Sequence, residues 1–177
     1  VVSRGGTWPD GTTTEPGRVV IWSGEDDPAD TLAPRLKAMK ADLRRIYFVR
    51  GVADDRGVRA FDPASDVPLL ELQLARMDDV RLLVVDPIVA AVAADSHKNG
   101  EVRRGLQPLV DLAERMRCAL LGITHAAKGT TGRDPLERVT GSLAFGALAR
   151  IVLGTAKPTD EGALRRLVRA KSNIGPD

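Results

Sequence analysis

Three polar residues stand directly after apolar runs in this sequence. Glu25 follows Val19-Val20-Ile21-Trp22-Ser23-Gly24, Asp86 follows Leu82-Leu83-Val84-Val85, and His125 follows Ala119-Leu120-Leu121-Gly122-Ile123-Thr124. In an open α/β sheet, ligands bind beyond the carboxyl ends of the strands, which is where such residues fall. A carboxylate placed like Asp86 can hold the water shell of Mg²⁺ beside a nucleotide. Its plainer reading is a turn residue or a helix cap. Glu25 heads a triplet with Asp26 and Asp27. It can orient or deprotonate an attacking water, whereas Asp26 and Asp27 suit the positive end of a helix dipole. His125 can hydrogen-bond a terminal phosphate and pass its loss to the loop that follows, although a lone His is usually satisfied by local backbone.

Basic residues form a second group. Arg150 interrupts the apolar stretch Leu148-Ala149-Arg150-Ile151-Val152-Leu153, where a charge is costly unless paired or at an edge. It reads either as a finger reaching a neighbouring subunit's nucleotide or as half of a structural ion pair. Arg165, Arg166, Arg169 and Lys171 make a basic run, which is ordinarily a solvated face. Lys128, Arg133 and Arg138 add positive charge to the loop after His125 and can contact nucleic-acid phosphates. No aromatic residue interleaves with them, so base stacking is not supported. His97 is the only other histidine, and neither a histidine metal cluster nor a catalytic triad can be assembled. Cys118, the single cysteine, reads as a small buried side chain and excludes an internal disulfide.

These residues need elements to hold them. The 177 residues, 43% hydrophobic but only 3% aromatic, suit one core built from Leu, Val, Ile and Ala, with buried parallel strands under helices. Strand patterns occur at 18–23, 46–49, 81–86 and 119–124. Helical spacing occurs after Asp27-Pro28 to about residue 41, at 69–78 and at 102–116. Pro34 should kink the first of these helices or delay its start. Residues 1–17, 50–65, 93–100 and 126–140 read as loops. A short helix near 141–148 leads to strands at 149–154 and 164–171, joined by a turn and expected to pair antiparallel at one edge. Strands alternating with helices predict an α/β fold with a mostly parallel sheet. No apolar run is long enough to span a bilayer, no signal peptide is visible, and the lone cysteine fits a reducing compartment, so the expectation is a cytoplasmic protein without a membrane partner.

Taken together, these segments resemble the RecA-like P-loop ATPase family, in particular RepA-type hexameric replicative helicases and related AAA-type ATPases of phages and mobile elements. The stretch 19–28 looks like the family's second strand with its catalytic Glu. Residues 82–87 look like the Walker B strand, 122–129 are similar to the motif whose His senses the γ-phosphate, and 141–150 look like the segment with the arginine finger. Residues 168–176 resemble the last motif strand, where Lys171 matches a basic residue that acts across the subunit interface; a second basic position of some relatives is Asn173 here. The resemblance implies a RecA-like three-layer α/β/α core spanning 1–177, with an antiparallel C-terminal edge hairpin. It implies ATP and Mg²⁺ as ligands, single-stranded DNA as a partner, and a homo-oligomer, expected to be a hexameric ring. It assigns Glu25, His125, Arg150 and Lys171 to catalysis and Asp86 to Mg²⁺. No segment matches the phosphate-binding pattern G-x-x-x-x-G-K-[ST]. The expectation is a core cut before its first strand, inactive alone and part of a DNA motor when intact. The alternatives are a recombinase or regulatory ATPase of the same fold, or a non-catalytic interaction domain.

Overall fold

Four apolar runs pair into one parallel sheet in the computed structural model of this chain, which describes residues 1–55, 57–93, 98–126, 138, 143–156 and 164–175. A small antiparallel pair opens the chain, β1 (Gly6–Thr7) with β2 (Thr13–Thr14). Its turn uses the positive φ of Gly11 and the Asp10 carboxylate, which accepts from the Thr12 amide and hydroxyl. Next come β3 (Arg18–Ser23), a π-helical turn over Pro28–Leu32 running into α1 (Ala33–Ala38), and β4 (Ile46–Val49). Pro34 sits in the first turn of α1, where its missing N–H costs nothing. A hairpin, β5 (Gly51–Asp54) with β6 (Gly57–Ala60), leads to α2 (Val67–Leu74), β7 (Val80–Asp86), α3 (Asn99–Arg115) and β8 (Ala119–Gly122).

The sheet order is β4-β3-β7-β8 and every pairing in it is parallel. Right-handed crossovers then put α1 on one face and α2 with α3 on the other. In keeping with this, Arg115 of α3 makes a two-pronged ion pair with Glu71 of α2. Leu83, Val84 and Val85 are consecutive and all buried, as strands covered on both faces must be. Leu70 and Leu74 of α2 and Leu106, Leu109 and Leu112 of α3 complete the core.

The stretch 50–65, expected to be a loop, contains the β5–β6 hairpin instead. Its side chains are mostly exposed, so burial left no alternation to read. What holds it is the ion pair from Arg59 to the buried Asp66, at 2.6 and 2.7 Å, with the Asp62 amide as a third donor to that carboxylate. Phe61, next to the hairpin, packs its ring against Trp22 of β3 at 6.4 Å.

The chain divides into two compact units, Val1–Ala93 with Arg104–Thr124, and Ala94–Arg103 with His125–Asp177. The second holds α4 (Leu143–Leu148), β9 (Ile151–Ala156) and β10 (Arg166–Ser172). The expected antiparallel pairing of the last two strands is present, and the pair is a two-stranded sheet of its own. No helix among the described residues is long and apolar enough to cross a membrane.

The Arg59 guanidinium holds the Asp66 carboxyl below its ordinary value. A folded-state value below the unfolded one means that this pair stabilises the fold above the unfolded Asp range and loses that effect as pH falls through the folded value. Asp66→Asn is expected to lower the unfolding midpoint at neutral pH. The gap from wild type should shrink below about pH 4, measured by urea denaturation across a pH series.

Candidate functional site

The site is built from the register of two strands. Ser23, the last residue of β3, lies opposite Asp86, the last residue of β7, and the Gly24 amide donates to the Asp86 carbonyl at 2.7 Å. Glu25 and Asp86 therefore emerge at the same carboxyl end of adjacent parallel strands. Asp86 is half-buried and Glu25 is exposed.

The loop that carries Glu25 is shaped by its own polar groups. The Ser23 hydroxyl accepts from the Asp26 amide at 3.0 Å. Asp27 caps the π-helical turn, its carboxylate accepting from the amides of Ala29 (2.7 Å) and Asp30 (2.9 Å). Those two bonds, Asp30's first, hold the Asp27 carboxyl below its ordinary value. Asp26 pairs with Arg35 of α1 at 2.9 Å. Asp26 and Asp27 thus serve the loop, and Glu25 stands at its head. Gly24 is required by packing, since a Cβ there would lie 2.9 Å from the buried Trp22 ring. On the other side of β7, the Ile123 amide donates to the Val85 carbonyl and the Ile88 amide to the Ile123 carbonyl. Gly122 leaves room for Ile88, whose side chain would lie 2.8 Å from an added Cβ. The half-buried Thr124 closes this end of β8.

The sequence reading passed over Ser23 and Thr124. Ser23-Gly24-Glu25-Asp26 is a hydroxyl followed three residues later by an acid, a spacing that marks a capped turn and points to Ser23. Thr124 carries no comparable signal.

In the second unit, His125 is exposed, as is Arg150 at the bend between α4 and β9. The cost of burying the Arg150 charge therefore does not arise, and among the described residues no carboxylate pairs with it. Arg165, Arg166 and Arg169 are exposed, while Lys171 is half-buried against the end of α4. Arg138 is half-buried. Lys128, Arg133 and His97 lie outside the described residues. Burial raises the Cys118 thiol above its ordinary value, so it is not a ready nucleophile.

As a metal site the pair offers only hard oxygen donors. No three of His, Cys, Asp and Glu cluster among the described residues. That donor set suits Mg²⁺, which keeps most of its waters and takes one or two carboxylates, and Asp86, half-buried at its strand end, is the one of the two that could hold it.

A parallel sheet with carboxylates beyond adjacent strand ends defines the class as an α/β protein with a ligand site at the strands' carboxyl edge. The family comes from comparison. A family model described as "AAA domain" matches residues 1–131, and the chain belongs to that family, which makes its activity class that of an ATPase. Among solved structures, a KaiC-like protein of the hyperthermophilic archaeon Pyrococcus horikoshii is similar at 19% identity and a TM-score of 0.49, over 89% of this chain and 67% of that one. A search of curated proteins finds no match.

Gly24→Ala is expected to displace the Trp22 ring and destabilise the fold by about 1–3 kcal/mol. A Trp8→Phe background leaves Trp22 the only indole. Its emission should shift to the red in the variant.

Proposed function

We propose that this chain supplies the water-activating and Mg²⁺-holding carboxylates of an ATPase that acts on DNA. The observation that supports it is the placement of Glu25 and Asp86 at the ends of adjacent parallel strands in an AAA-domain chain. Mg²⁺, when bound, would supply positive charge that neutralises the phosphates. Asp86, half-buried and fixed by its strand, would hold that ion's water shell. Glu25, exposed on a loop tied down by Ser23, Asp26 and Asp27, would accept a proton from the attacking water. His125 would contact the terminal phosphate, and Arg150 would reach a nucleotide held by a neighbouring copy in a ring, with six copies the expected number. Lys128, Arg133 and Arg138 would meet the phosphates of single-stranded DNA. A replicative helicase of RepA type is the finer reading, in a reducing, cytoplasmic setting. The phosphate cradle would come from outside these 177 residues, because none of them matches its pattern.

The test is ATP turnover by a protein carrying this domain together with a phosphate-binding loop, with and without single-stranded DNA. DNA should stimulate turnover, and Glu25→Gln should lower it about 10²–10⁴-fold while the fold is retained. The 177-residue chain alone should bind MgATP far more weakly than micromolar. Turnover unchanged in Glu25→Gln would overturn the assignment of the base, and no turnover from a folded, loop-containing protein would overturn the ATPase reading.

A further inference from the structure

Lys171 lies where β10 loses register with β9. Arg169 pairs with Leu153 and Lys171 with Val152, so Ala170 is an extra residue in the strand. Such a bulge breaks the alternation of faces and re-aims the side chain that follows. Lys171 consequently does not continue the exposed run of Arg165, Arg166 and Arg169. Its Nζ donates to three backbone carbonyls, those of Gly146 at 3.0 Å, Ala147 at 2.9 Å and Ala149 at 2.8 Å. An ammonium has three N–H bonds, and each finds an oxygen here.

Those oxygens are the ones that most need a donor. Gly146 and Ala147 belong to the last turn of α4, whose carbonyls have no partners within the helix and carry the negative end of its dipole. The Phe145 carbonyl is served by the Ala149 amide at 3.2 Å. One residue beyond the ammonium's last contact, the Arg150 carbonyl accepts from the Asn173 amide at 2.8 Å. The backbone around Arg150 is thus tied to β10 by the Lys171 side chain before it and by the Asn173 amide at it. Gly146 is buried, so withdrawing the ammonium would leave a buried acceptor without its donor, at a cost comparable to the bond itself.

We propose that Lys171 is a positioning residue. Its ammonium clamps the end of α4 and fixes the bend from which Arg150 projects, and it does not itself reach a nucleotide. The use of Arg150 toward a nucleotide rests on the function proposed above; the clamp does not.

The test uses the 177-residue chain without nucleotide. In the ¹⁵N-labelled wild type, an ammonium whose three protons are all hydrogen-bonded exchanges slowly. The Lys171 side chain should therefore give a resolved ¹⁵N–H cross-peak at neutral pH, absent from Lys171→Met. In that variant the Asn173 amide should exchange about tenfold faster or more, with amides of β3 and β7 unchanged. No slow ammonium peak in the wild type, or unaltered Asn173 exchange in a folded variant, would overturn the clamp. If Lys171→Met unfolds its unit, the wild-type peak decides alone. Absence of ATPase activity would leave the clamp standing, and loss of the clamp would leave the ATPase reading standing.

Discussion

The site depends on one pairing, that of β3 with β7, and on an irregularity at its start. Arg18 lies opposite Val80, but Val19 lies opposite Leu82, so Arg81 is an extra residue on β7. Without it, the register from Arg18 would set Ser23 against Val85 and leave Asp86 facing the turn. With it, Ser23 meets Asp86. Gly17 makes the irregularity possible, because any side chain there would collide with the stem of Arg81. Asp79 then pairs with the Arg81 guanidinium at the surface. A one-residue slip exchanges the two faces of a strand. The same bulge therefore sets which face each β3 side chain takes relative to β7, and Val19, Val20 and Trp22 are all buried there.

Three acids in a row would repel one another in an open loop. Here the neighbours of Glu25 are each given a local positive partner. Asp27 takes two amide N–H groups at the start of the π-helical turn, and Asp26 takes the Arg35 guanidinium. The Ser23 hydroxyl fixes the amide of Asp26. Asp26 and Asp27 thereby shape the loop, and Glu25 is exposed at the strand end.

How much of this was legible varied with the physics behind each element. The sheet strands were readable because burial on both faces demands unbroken apolar, β-branched runs, and Val84-Val85-Asp86 has that form. Glu25 and Asp86 were readable as a pair for the same reason, since polar residues that end such runs fall at one edge of a parallel sheet. The β5–β6 hairpin was not readable, because its exposed strands carry no alternation and its anchor, Arg59 to Asp66, is a tertiary ion pair. The antiparallel pairing of β9 and β10 followed from their short connection, but their standing as a separate sheet did not. Neither bulge left a trace in the sequence. Lys171 therefore read as part of a basic run and, by resemblance, as a residue acting across a subunit interface, when Ala170 turns it to the carbonyls of α4.

The charge at the strand ends bears on what must complete the site. Glu25, Asp26, Asp27 and Asp86 are all acids, and Asp26 is paired with Arg35. A nucleotide triphosphate carries several negative charges, and carboxylates do not attract it. Charges a few ångströms apart interact by about 1 kcal/mol in water, and by more at a partly buried site. Affinity for phosphate must therefore come from groups the carboxylates do not provide, such as converging backbone N–H groups, a lysine and a divalent cation. A carboxylate edge is suited to the proposed roles. In those proposed roles the charges would act on water and metal once the phosphates are held by something else, and no segment of the sequence matches the pattern G-x-x-x-x-G-K-[ST].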